Sequence, residues 1–307
     1  MKKIIISTLT FASLFVASCR PATNDDGDVI KVLASTTFLG DIAQHIAGDR
    51  LKVGILLPFG ADPHAYQAAP ADVTKISQST VLIINGIEYE HFIEPLLENA
   101  DGNRLVIDAS AGLEPRHLEE HAEETGDGDE HKAGDPHMWL DPNLVVTYVQ
   151  NIRDGLIRAD PQGVETYMAN ADSYKQQLKD LDAWIVEQVN IIPLEQRLLV
   201  TNHEALGYFA ERYGFKFVDA ILPSFSSEAN ASAQQIAAAV DAVKSSGARA
   251  IFLDEVENAD LADQISAETG VKIVNDLHLE SLTDGPPAGT YIEMIRHNVS
   301  LIVGALK

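Results

Sequence analysis

Short apolar runs rich in β-branched residues recur along the chain at Ile30–Ala34, Val53–Leu57, Val81–Asn85 and Leu105–Ile107. A second set follows at Leu198–Thr201, Phe215–Val218, Ala250–Leu253 and Val271–Val274. Helical patterns lie between most of them, as at Phe38–Ala47, Ala71–Gln78 and Ala233–Ser245. Strands alternating with helices predict parallel α/β layers. Two such sets predict an α/β fold of two lobes, each with a mostly parallel four-stranded sheet flanked by helices.

Between the sets lies the strongest helical pattern. Val164, Tyr167, Met168, Ala171, Tyr174, Leu178, Leu181 and Ile185 recur at three- and four-residue steps. Asp160-Pro161 supplies a start signal and Pro193 a stop. The expected element is one long helix linking the lobes. The domain reading is therefore an N-terminal lobe over 29–160, a linking helix over 161–190 and a C-terminal lobe over 191–307.

The first residues read differently. Lys2 and Lys3 precede an apolar run from Ile4 to Ala17 that is too short to span a bilayer. The run ends in Val16-Ala17-Ser18-Cys19, which resembles a bacterial lipobox. Residues 1–18 are read as an export signal, Cys19 as the lipid-modified first residue of the mature chain, and 19–28 as a polar tether. Acyl chains on Cys19 would hold the protein at a membrane surface. As Cys19 is the only cysteine, an intramolecular disulfide is impossible.

Composition sharpens this picture in two places. A formal net charge of −24 argues against nucleic acid and favours cation attraction. The segment Arg116–Asp135 carries His117, His121 and His131 among eight acidic residues and three glycines, with almost nothing apolar. It cannot build a core. Tracts of this composition bind metal loosely, so these three histidines are read as accessory weak sites.

Three other histidines sit in short loop-like motifs. They are His64 in Asp62-Pro63-His64-Ala65-Tyr66, His137 in Asp135-Pro136-His137-Met138-Trp139, and His203 in Thr201-Asn202-His203-Glu204-Ala205. Imidazole is the commonest protein ligand for zinc and its neighbours. His64 and His203 follow expected strands, where an open α/β sheet places its ligands. His45, His91 and His297 fall in helical patterns and are read as structural or exposed.

With these motifs the chain resembles the metal-binding solute-binding proteins of bacterial ABC importers, in the zinc/manganese family. The resemblance runs from about Val32 to Leu306. It includes Asp135-Pro136-His137-Met138-Trp139-Leu140-Asp141-Pro142, His203-Glu204-Ala205-Leu206-Gly207-Tyr208-Phe209 and Ile251-Phe252-Leu253-Asp254-Glu255. It implies a metal in a cleft between the lobes, with His64 and His137 from the first lobe and His203 from the second. The fourth position, usually Asp, aligns with Glu280. His278, Glu204, Asp254 and a water molecule are the rivals for it. The resemblance further implies a permease partner, attachment to the membrane through the lipid anchor outside the cytoplasm, and a monomeric, non-enzymatic chain.

Three imidazoles and a carboxylate suit zinc, whereas oxygen-rich sites suit manganese. Manganese-importing relatives tend to carry a carboxylate where His203 stands. The expected function is zinc capture and delivery. The alternatives are a zinc-dependent hydrolase, a manganese importer component and a surface adhesin. The helical metalloprotease motif is absent, because the residue four after His203 is Gly207.

Overall fold

A computed structural model describes residues 30–117, 134–221, 224–227, 231–254 and 259–307. Among the described residues eight strands fall into two four-stranded parallel sheets. The first comprises β1 (Val32–Ala34), β2 (Val53–Ile55), β3 (Val81–Ile84) and β4 (Leu105–Asp108), in the order β2-β1-β3-β4. The second comprises β5 (Leu198–Thr201), β6 (Lys216–Ala220), β7 (Ala250–Asp254) and β8 (Lys272–Leu277), in the order β6-β5-β7-β8. Both halves thus repeat one topology, as their matching hydrophobic patterns predict.

Nine helices accompany the strands among the described residues. The first half contains α1 (Thr37–Ala47), α2 (Pro70–Gln78), α3 (Ile93–Asn99) and α4 (Pro142–Ala159). The linking helix is α5 (Val164–Val189), preceded by a 3-10 turn at Pro161–Gly163. The second half contains α6 (Gly207–Tyr213), α7 (Ala233–Ser246), α8 (Asp260–Thr269) and α9 (Tyr291–Leu306).

Strand side chains alternate between faces. Val32, Ala34, Val81 and Ile83 enter a core shared with buried residues of α1, α4 and α5. Leu33 and Leu82 point the other way, toward Ile76, Ile93 and Leu96 of α2 and α3. In the second sheet Leu199, Ala250 and Phe252 join the shared core, while Val200, Ile251 and Leu253 meet α7 and α8. One continuous core therefore crosses both halves, with a satellite cluster on each outer face.

Helix α5 is part of that core. Its 26 residues make a rod of roughly 39 Å. Tyr167, Ala171, Tyr174, Leu178, Leu181, Ile185 and Val189 are buried. Each large side chain buried this way contributes roughly 1.5–3 kcal/mol, so the helix is anchored along its length. Two residues of the expected stripe differ: Val164 and Met168 are about 40% exposed, at 40% and 42%. Met168 lies 100° round from Tyr167, off the seam, and Val164 precedes the first buried position. Asp160 does more than start the helix. It accepts hydrogen bonds from Arg50 and from the Tyr167 hydroxyl, tying the helix entry to the β2 side of the first sheet.

Candidate metal centre

Four strand ends and loops converge on one buried point. His64 lies in the loop after β2, His203 directly after β5, and Glu280 three residues after β8. His137 is the residue ahead of the short 3-10 turn Met138–Leu140 that leads into α4. The side chains of His64, His137, His203 and Glu280 are 3%, 0%, 1% and 1% exposed.

The two Asp-Pro-His motifs owe their shape to the same local device. Asp62 Oδ1 accepts the His64 backbone N–H at 2.8 Å, and Asp135 Oδ1 accepts that of His137 at 3.0 Å. An Asp side chain that bonds the backbone two residues on makes an Asx turn, and the intervening Pro cannot compete as a donor. Asp135 has a second task. Its Oδ1 lies 2.8 Å from His137 Nδ1. A carboxylate only accepts, so Nδ1 carries the proton and Nε2 presents its lone pair to the centre. Arg116 Nη1 donates to the other oxygen of Asp135 at 3.0 Å. The arginine crosses Gly207, where a Cβ would stand 1.6 Å from Nη1. A side chain at 207 would push the guanidinium off Asp135.

Glu280 is placed by groups the sequence motifs do not mark. Asp254, at the end of β7, accepts the backbone N–H groups of Leu279 and Glu280. Trp139 Nε1–H donates to the Leu279 carbonyl at 2.7 Å, and Thr37 Oγ1 accepts the Leu282 N–H at 2.8 Å. Tyr89 donates its hydroxyl to Glu280 Oε2 at 2.6 Å. Only Oε1 then faces the imidazoles.

The resulting distances are short. Glu280 Oε1 lies 3.3 Å from His137 Nε2, 3.3 Å from His203 Nε2 and 3.9 Å from His64 Nε2. His137 Nε2 and His203 Nε2 are 3.3 Å apart. Both ring nitrogens of His64 and Oε1 of Glu280 are buried without a hydrogen bond among the described residues. Buried polar atoms rarely stay so, and four donors aimed at one point are what a metal ion needs. Four donors placed tetrahedrally around zinc at 2.0–2.1 Å are ~3.3 Å apart.

Charge is balanced within the cluster. Burial pushes the Glu280 carboxyl up, but the imidazoles, His137 foremost, hold it well below the usual carboxylate range. His137 is pushed down by burial and more than restored by Glu280 and Asp135, so it rises above 6.5. His64 is pushed down to about 3, chiefly by burial.

Tyr89 is supported by a buried acid. Gly86, Ile87 and Glu88 all take positive φ, at 90°, 53° and 54°. For β-branched Ile87 this is a strained conformation, and it turns Tyr89 and Glu90 inward. Glu90 fastens the turn by accepting from Ser35 Oγ and the Asn85 N–H, each at 2.6 Å. Burial raises its carboxyl to about 7, against those hydrogen bonds. The neutral form is favoured in the fold, so Glu90 stabilises most below pH 4.5 and loses that effect as pH rises to about 7. The change is worth roughly 3 kcal/mol. Glu90→Gln should therefore flatten the loss of metal-free stability between these two pH values, measured by urea unfolding. Equal pH slopes in both proteins would contradict this.

The other expected residues have distinct places. His278 is buried but belongs to a different cluster, with Asp276 and His297. Asp254 holds the loop, and Glu204 is not among the four converging groups. His45 is exposed on α1 and His91 lies in the turn before α3. His117 is exposed; His121, His131 and Cys19 lie outside the described residues. Tyr89 and Glu90 carry no sequence signal beyond Asn85-Gly86, a turn dipeptide.

The ZnuA family profile, described as zinc-uptake complex component A, periplasmic, matches residues 32–305. The chain belongs to the ZnuA family of metal-binding substrate-binding proteins of ABC importers. Among ZnuA-family relatives, the manganese-binding lipoprotein MntA of Halalkalibacterium halodurans is 35% identical over 100% of this chain and 99% of its own. The iron-binding protein YfeA of Yersinia pestis is 32% identical over 97% of this chain and 94% of its own. The periplasmic zinc-binding protein TroA from Treponema pallidum superposes with a TM-score of 0.79 at 28% identity, covering 90% of this chain and 99% of that one. The two-lobe fold with a long linking helix is thus the family's fold. The described helices include none long and apolar enough to cross a membrane.

Proposed function

We propose that this ZnuA-family protein captures zinc outside the cytoplasm and delivers it to the permease of its importer. His64, His137, His203 and Glu280 are the ligands. The observation that carries this reading is the fit of the donors: three imidazole Nε2 atoms and Glu280 Oε1 stand 3.3–3.9 Å from one another along the measured edges. Tyr89 occupies Oε2, which favours one oxygen ligand and four-coordination. Nitrogen-rich tetrahedral sites suit zinc, and manganese prefers more oxygen.

A manganese or iron cargo is the second reading, supported by the names of MntA and YfeA. Elemental analysis of metal-stripped protein reloaded in equimolar zinc and manganese decides between them. Zinc is expected in the cleft at roughly one per chain; manganese in its place would overturn the assignment.

Catalysis is not part of the proposal. The crevice reaching His64, between Tyr89, Gly134 and Phe225, holds about 20 Å³. One water needs roughly 10–15 Å³ by that measure, so an ion fits and a peptide does not. Four protein ligands also leave no open coordination position.

The segments before the lobe complete the reading. Residues 1–18 direct export, lipidated Cys19 anchors a monomeric chain to the membrane, and 19–28 act as a tether. The His- and acid-rich tract 116–135 gathers zinc weakly near the cleft. Replacing His117, His121 and His131 by Ala should remove weak zinc sites in a titration and leave the tight one intact. Loss of the tight site would put the tract in the primary centre.

A further inference from the structure

We propose a second, weaker divalent-metal site between the end of β8 and α9, formed by Asp276, His278 and His297. One donor atom from each lies within 4.8 Å of the others. Asp276 and His278 are two residues apart at the end of a strand, so they share a face. His297 comes from α9, which packs on that strand.

The cluster is more than an ion pair. His297 Nε2 is 3.6 Å from Asp276 Oδ2, too long for a hydrogen bond. That nitrogen instead donates its N–H to the Asp276 carbonyl at 2.7 Å, so the carboxylate is not spent on it and His297 keeps the lone pair of Nδ1 for a metal. The imidazoles of His278 and His297 lie side by side, with ring centroids 5.2 Å apart.

The scaffold beneath is rigid. Asn298, next to His297, clamps the backbone of His278 from both sides. Its Oδ1 accepts the His278 N–H at 2.8 Å and its Nδ2 donates to the His278 carbonyl at 2.6 Å. The strand end and the helix are thereby held in register. His278 is buried, whereas the side chains of His297 and Asp276 are 17% and 64% exposed. The site opens to solvent on the Asp276 side. Donors around bound zinc stand ~3.3 Å apart, and the exposed Asp276 side chain has the rotamer room to close the remaining gap.

Two nitrogens and one oxygen suit zinc, nickel or copper rather than magnesium or calcium. Three protein ligands leave a coordination position for water. An ion bound there would pin β8 to α9 two residues ahead of Glu280.

The test is equilibrium dialysis against zinc, using the chain with His117→Ala, His121→Ala and His131→Ala to silence the tract. Two zinc ions per chain are expected, the second at least tenfold weaker. Adding His297→Ala should abolish the second and leave the first unchanged. Asp276→Asn should weaken only the second. In parallel, the second equivalent of zinc should shift the imidazole nitrogen resonances of His278 and His297 and leave those of His45 in place. A single zinc in the parent, a second zinc that survives His297→Ala with unchanged affinity, or unshifted His278 and His297 resonances would overturn the proposal.

Discussion

Glu280→Ala is expected to lower zinc affinity by about a hundredfold to a few thousandfold, equivalent to the ~3–5 kcal/mol lost when a buried charge pair is broken. The variant removes the one anion in the centre and leaves three buried imidazoles to face a doubly charged ion alone. It also leaves the Tyr89 hydroxyl without the acceptor it holds at 2.6 Å. In the metal-free protein, His137 loses the neighbour that first offsets its burial, so its pKa should fall. Isothermal titration with a competing chelator measures the affinity, and imidazole NMR follows His137. Two controls locate the effect. Tyr89→Phe should weaken zinc less than Glu280→Ala, because it frees Oε2 without removing the ligand. His278→Ala should leave the cleft affinity near wild type. If Glu280→Ala binds as tightly as wild type and His278→Ala does not, the fourth ligand is His278.

Zinc loading is expected to raise the melting temperature by roughly 6 °C at a free metal level a thousand times the dissociation constant. Binding to the folded state alone stabilises by about 4 kcal/mol at that level, and at ~2.1 cal/mol/K of unfolding entropy per residue each kcal/mol moves a protein of this size by about 1.6 °C. The gain should depend on pH with a definite sign. A ligand imidazole must be neutral, and His137 holds its proton above pH 6.5 in the metal-free centre. Protons therefore compete with zinc at His137 as the pH falls through that range, and the gain shrinks. His64, already pushed down to about 3, does not compete there. Glu280 stays ionised throughout. Calorimetric scans at pH 8 and pH 6, with and without zinc, read this directly. An unchanged melting temperature at pH 8, or a larger gain at pH 6, would contradict the proposed centre.

Local signals carried the architecture. Short apolar runs marked all eight described strands to within a few residues, because a strand buried between helices must be apolar over its length. Three- and four-residue spacing marked α5, because its buried face is set by helix geometry alone. The Asp-Pro-His motifs exposed His64 and His137 because their turns are closed by their own aspartates. The shared core was not legible this way. Periodicity reports that a face is covered and not by which half of the chain, so two independent cores and the one observed look alike in sequence.

The sequence alone determined the strand–helix alternation, the linking helix and three of the four converging side chains, since each rests on contacts within a few residues. Tertiary structure decided what stands opposite them. His278 and Glu280 are two residues apart, and no local rule prefers one over the other. Asp254 from β7, Trp139 from the first half and Tyr89 from the strained turn together turn Glu280 into the centre, while Asn298 and His297 hold His278 against α9. Those contacts span 19 to 191 positions, and a choice made by such distant partners is invisible to any window of local sequence.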